Sequence, residues 1–178
     1  RQVGDFNPQN MANTVWAFAT AGFAARTLFE VIATQAQRRV SGFNSQAVAN
    51  MAWAFACVGW DRSQVFLELG AVALERLLHL NQAEKSQLYL VALYVQIEWP
   101  DQNFPLSSHL ESFKAAYARE EPRPSNLQRE VSTMLELDLG WKHIFEYRTT
   151  EGISLDLAEP ESKRAIEVDG PSHYLKEV

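Results

Sequence analysis

The sequence predicts a mainly α fold, an α-solenoid of helix-pair repeats followed by a small α/β module. Three observations carry that prediction. A stretch near the N-terminus recurs 37 residues later, a proline-punctuated break follows residue 100, and the apolar period turns from helical to strand-like after Gly140. The 178 residues are 47% hydrophobic, enough to bury a core in one domain or two small ones.

The repeat comes first. FNPQNMANTVWAFATAGF at 6–23 and FNSQAVANMAWAFACVGW at 43–60 agree at ten of eighteen positions, including Asn7/Asn44, Asn13/Asn50, Trp16/Trp53, Phe18/Phe55 and Gly22/Gly59. Asn7 is placed to cap a helix that starts at Pro8, and Gly22 to end it in a left-handed conformation. Met11, Val15 and Phe18 follow the spacing of one helical face, and the alanines allow another helix to approach. A second helix follows each copy, over 25–38 and 64–78; in the latter Val65, Leu69, Val72 and Arg76 trace one side. A degenerate third copy spans 80–100, with Asn81 again 37 residues after Asn44 and the Trp-Ala-Phe-Ala core lost. Trp16, Trp53, Phe18 and Phe55 are expected in the core, and Cys57 as a small buried apolar residue. Asn13, Asn50, Arg38 and Arg39 are the candidates for exposed contacts, although Asn13 and Asn50 could instead bond between adjacent repeats.

Residues 101–124 form a connecting helix (106–119) and a Pro-rich linker, since Glu120-Glu121-Pro122-Arg123-Pro124 cannot continue a helix. Ser125 and Gln128 read as a capping box for a helix that Gly140 ends. Strands are expected at 144–147, 153–157 and 164–168, with a hairpin turn at 149–152. Alternation sets Ile166 and Val168 on one face and Glu167 and Asp169 on the other, with Asp156 in the neighbouring strand able to point to the same place.

The Pro-Gln-x-x-Ala-Asn-x-x-Trp-Ala-Phe-Ala pattern over residues 1–100 resembles the octotricopeptide and heptatricopeptide-type repeats of organelle RNA-binding proteins. NLQREVSTMLELDLGW, ISLDLAEP and AIEVDGPSHY, within residues 125–178, together resemble the RAP domain. That domain is itself similar to the PD-(D/E)XK nuclease fold, particularly its Vsr-like branch. The resemblance implies side chains presented to RNA by the helix pairs and a partial, restriction-endonuclease-like RAP module after them. It places Asp156 and Glu167 at the acidic positions, Asp169 where that nuclease pattern usually has lysine, and His173 after the Gly-Pro turn. The family's last basic helix and strand are not in this stretch, so a continuing chain or a partner is expected to cover the sheet edge after Val178.

Charge works against a simple nucleic-acid reading. The net charge of −6 arises wholly in residues 101–178, which carry nine basic and fifteen acidic residues. Phosphate contacts need Lys and Arg. A single cysteine excludes a disulfide framework, and no apolar run approaches the ~18 residues of a membrane span. The chain starts at Arg1, as expected of a mature or truncated piece, and no targeting segment is visible.

The favoured reading is a non-catalytic protein that binds or stabilises organellar RNA, such as rRNA in a mitochondrial ribosome or an RNA-processing complex, alongside the proteins of that particle. Chloroplast is the alternative compartment. One competing reading is a metal-dependent nuclease: Asp156 and Glu167, with Asp169 as a third candidate ligand, would hold Mg2+ and His173 would act as acid or base. Another is a protein–protein scaffold, since stacked helix pairs clamp proteins as well as RNA.

Overall fold

Each helix pair starts with an asparagine because an extended residue at that point leaves its side chain free to cap the helix. Asn7, Asn44 and Asn81 all do so, accepting the N–H of Asn10 (2.8 Å), Ala47 (2.8 Å) and Glu84 (2.9 Å). The computed structural model describes residues 5–59, 64–119 and 123–169, and the chain divides into two compact units, Arg1–Tyr117 and Ala118–Val178. The chain is mainly helical, with a small three-stranded antiparallel sheet in the second unit.

The three asparagines head α1 (Pro8–Thr20), α3 (Ser45–Cys57) and α5 (Gln82–Glu98), with α2 (Arg26–Gln37) and α4 (Gln64–Glu75) between them. α5 adds the reciprocal half of a capping box, Asn81 N–H donating to Glu84 Oε2 at 2.8 Å. Gly22 and Gly59 end the first and second copies at φ 69° and 67°, the conformation that favours glycine. α1 lies on α3, α3 on α5, and α2 beside α4. α3 is flanked on both sides, so Ala47, Ala49, Ala52, Ala54 and Phe55 are fully buried, with Phe55 against Phe29 at 5.7 Å.

That sandwiching corrects the expected core. Phe18 is 37% and Trp16 41% exposed, because among the described residues α1 has no helix on its outer side corresponding to the one α3 has. Trp53 is half-buried with its ring 6.4 Å from Trp16, and Cys57 is exposed near the end of α3 rather than buried.

A second device recurs with the same period. Arg39 reaches back 33 residues to donate to the Phe6 carbonyl at 2.9 Å, and also lies against Gln35 O and Met11 Sδ. Arg76, its equivalent, donates to the Phe43 carbonyl and, at 3.0 Å, to Ser41 O. Both carbonyls belong to the residue just before the cap, outside the helical ladder, so each arginine satisfies an acceptor that no helix could.

The segment after residue 100 contributes core as well as connection. Phe104 is buried and stacks on Phe66 at 5.1 Å, lying over Gly70; a Cβ at Gly70 would sit 2.8 Å and 2.9 Å from its ring atoms. Glycine is there for close approach, at the cost of helix propensity. A 3₁₀ turn at Ser107–His109 and α6 (Leu110–Tyr117) then pack along α5, with Tyr117 against Tyr89 at 5.2 Å.

In the second unit, Ser125 and Gln128 form the capping box of α7 (Asn126–Leu139), and Gly140 ends it at φ 62°. No residue of α7 is fully buried, and Met134, Leu137 and Leu139 are exposed. β1 (Ile144–Arg148), β2 (Ser154–Glu159) and β3 (Arg164–Ile166) form an antiparallel sheet in that order. The hairpin turn is closed by Thr149 N–H on Ile153 O (2.8 Å) and Gly152 N–H on Thr149 O (2.9 Å), with Gly152 at φ 87°. β2 runs on to Glu159, whereas β3 stops at Ile166, two residues short of the expected end.

Two substitutions test this packing by urea denaturation of the full chain. Gly70→Ala is expected to cost about 1–3 kcal/mol by forcing the Phe104 ring aside. Arg76→Ala should cost about 1.5–3 kcal/mol by stranding the Phe43 carbonyl. Arg38→Ala, in the exposed residue before Arg39, should change little.

Candidate functional site

The hairpin turn fixes which side chains meet across the sheet. Phe145 pairs with Leu157 and Tyr147 with Leu155, so Glu146 falls opposite Asp156. Leu157 pairs with Ile166 on the other side, which sets Glu167 next to Asp156 in the same register. Three carboxylates therefore share one rung. The ladder fails at that rung: Glu146 is at φ 52° within β1, and β3 has already ended.

The electrostatics agree with this placement. Partial desolvation pushes the pKa of the largely exposed Glu167 carboxyl up, and the charges of Asp156, Asp169 and Glu146 push it further, while the Asp156 backbone N–H acts in the opposite sense. Two of these carboxylates also have structural partners. Asp156 Oδ2 accepts Val168 N–H at 2.7 Å, and Glu146 Oε2 accepts Ser154 Oγ at 3.1 Å.

The structure thus brings together Asp156, Glu167 and Asp169, and adds Glu146, which the sequence reading did not include. Among the described residues, no three His, Cys, Asp or Glu side chains form a set that could hold one ion. His173 lies outside the described residues.

In the first unit, Asn13 is exposed and accepts Gln9 Nε2 at 2.8 Å within α1. Links between repeats run instead from Asn44 Nδ2 to Gln9 Oε1 at 3.2 Å and from Gln37 Nε2 to Glu68 Oε1 at 3.3 Å. Asn50 is half-buried on α3, and Arg38 is exposed. Arg39 is tied to the Phe6 carbonyl and so is a lock of its own helix pair rather than the exposed contact the sequence suggested.

An open groove of about 860 Å³ lies between the end of α7 and β3, lined by Leu139, Trp141, Lys142, Glu159, Lys163 and Arg164 among others. Glu159 organises it. Its Oε2 accepts Arg164 Nη2 (2.5 Å) and Nε (3.1 Å), Trp141 Nε1 (3.2 Å) and the Ser162 hydroxyl. Those donors, Ser162 first, then Arg164 and Trp141, hold the Glu159 carboxyl at about 2. The Trp141 ring lies 4.9 Å from that of His143, inclined at 30°. The buried His143 bonds the Trp141 carbonyl through Nδ1 (3.0 Å) and Ser132 Oγ through Nε2 (2.7 Å). A carbonyl only accepts, so Nδ1 carries the proton, and in the neutral ring Nε2 accepts from Ser132.

No protein-family model, curated protein or solved structure matches the chain.

The two displaced carboxyls give opposite pH signatures. Glu159 is lowered, so its stabilisation is complete above its unfolded value of about 4.5 and is lost as pH falls through about 2. Glu159→Gln should remove that part of the acid sensitivity in thermal melts. Glu167 is raised, so its ionised form is disfavoured in the fold and the penalty grows as pH rises through its folded pKa. Glu167→Gln is expected to raise Tm at pH 7 by a few degrees at most, with the gain vanishing in acid.

Proposed function

We propose that this chain is a non-catalytic, RNA-associated protein of an organelle, an α-solenoid of about three helix pairs followed by a RAP-like module. Its role is to bind or stabilise organellar RNA, such as rRNA within a mitochondrial ribosome or an RNA-processing assembly, with chloroplast the alternative compartment. One observation carries this reading: a 37-residue helical repeat that resembles the octotricopeptide type stands in the same chain as the RAP-like sequence AIEVDGPSHY. The recurrent caps at Asn7, Asn44 and Asn81 and the locks at Arg39 and Arg76 support a repeated structural unit. Since Arg39 and Arg76 serve the fold, Arg38, Asn13 and Asn50 remain the candidate RNA contacts of the first unit.

The test is retention of single-stranded or structured RNA by the full chain across a salt series. Binding should weaken linearly in log–log form, losing about 0.7 in slope for each phosphate contacted in a single strand. Retention of protein partners without salt-dependent RNA binding would assign the chain to the scaffold reading instead.

The nuclease reading keeps one observation in its favour, the crowding of Asp156, Asp169 and Glu146 around Glu167. Carboxylates that repel one another are relieved by a divalent cation. This reading requires RNA cleavage that depends on Mg2+ and disappears in Glu167→Ala. Cleavage that survives the substitution would remove Glu167 from the chemistry.

A further inference from the structure

The acidic rung is the part of the second unit that resembles a reaction centre, yet it is poorly suited to a polyanion. The groove at the end of α7 has the opposite character. We propose that this groove holds a single-stranded segment of RNA, with phosphates at Lys142 and Lys163 and a base laid on the Trp141 indole; this rests on the RNA reading above.

Charge complementarity selects the ligand. The chain carries −6, but the groove's lining has three cations, Lys142, Lys163 and Arg164, against one carboxylate. That carboxylate, Glu159, is already matched to Arg164 at 2.5 Å. Both lysines are exposed, and no acid of the lining is left to neutralise them. The aromatic wall selects a nucleic acid over a simple anion. Trp141 is anchored by Glu159 at Nε1 and by His143 through its carbonyl and ring, so little rotational freedom remains to be lost on stacking. Base-on-aromatic stacking needs a base free of its own stack, which a single strand provides and a duplex does not. The volume of about 860 Å³ falls within the ~300–1,000 Å³ usual for a small-ligand cleft, so it suits a short run of nucleotides. An acidic peptide would satisfy the lysines but would leave the anchored indole without a role.

The test uses the full chain and a fluorescently labelled oligouridylate, read by anisotropy over a salt series. Lys142→Ala/Lys163→Ala should make the salt slope shallower by about 1.4, the value for two single-strand phosphate contacts. Lys142→Arg/Lys163→Arg should retain the original slope. Trp141→Ala should weaken binding roughly tenfold or more, and Trp141→Phe, which keeps a ring, much less. If the wild-type chain binds the oligonucleotide and the double alanine variant keeps its slope, the groove is not the site, although the RNA reading stands. If the wild-type chain shows no salt-dependent binding to the oligouridylate, the groove proposal falls, and the RNA reading falls with it if structured RNA is not retained either. If a poly-glutamate peptide binds as tightly as the RNA and Trp141→Ala weakens neither, the groove is an acidic-peptide site and the proposal fails.

Discussion

A carbonyl oxygen just before a helix cap has no partner in the helix it precedes, and in this chain it is met by an arginine from 33 residues away. The link from Arg39 to Phe6 O, repeated by Arg76 to Phe43 O, joins the end of each of the first two helix pairs to its beginning. The asparagine caps start the helices; the arginines fix how the second helix returns. With that geometry set, the alanine-rich face of α3 can enter between α1 and α5 and bury Phe55 against Phe29. The aromatic positions then follow. The same residue type is buried in the flanked copy at Phe55 and partly exposed in the unflanked one at Phe18.

The second unit separates its charges along one small sheet. Alternation sets the Glu159–Arg164 pair and the Glu146–Asp156–Glu167 rung on opposite faces. One end carries Glu167, raised by desolvation and by its acidic neighbours, and the other carries a carboxylate held low by its donors. This division explains how an acidic module offers a basic groove, and why net charge alone is a poor guide to its partners.

Much of this was legible in the residues. The caps at Asn7, Asn44, Asn81 and Ser125, the left-handed glycines at 22, 59 and 140, and the helix-to-strand change after Gly140 are all local chemistry, and they stand where the sequence placed them. Glu146 was also within reach: counting back from the 149–152 turn sets it opposite Asp156. What local pattern could not convey was neighbourhood. Trp16 and Phe18 share their sequence context with Trp53 and Phe55, but burial depends on which helices flank them. Arg39 looks like a free cation until Phe6, 33 residues earlier, is placed beside it. Phe104 sits among prolines that signal a linker, and only Gly70 across the fold shows where its ring goes. The Trp141 groove combines residues from the end of α7, the end of β2 and β3, which no single motif contains.

The brevity of β3 bears on how readily its edge would recruit a further strand. Among the described residues no strand pairs with its outer edge, and an open edge is a template on which another chain can add a strand. Here that template is three residues long, preceded by Lys163 in a left-handed turn and followed by Glu167. An incoming strand would have few N–H and C=O groups to pair with, and would meet lysine and arginine at one end and crowded carboxylates at the other. The crowded carboxylates beside β3 thus also disfavour sheet growth between molecules at this edge.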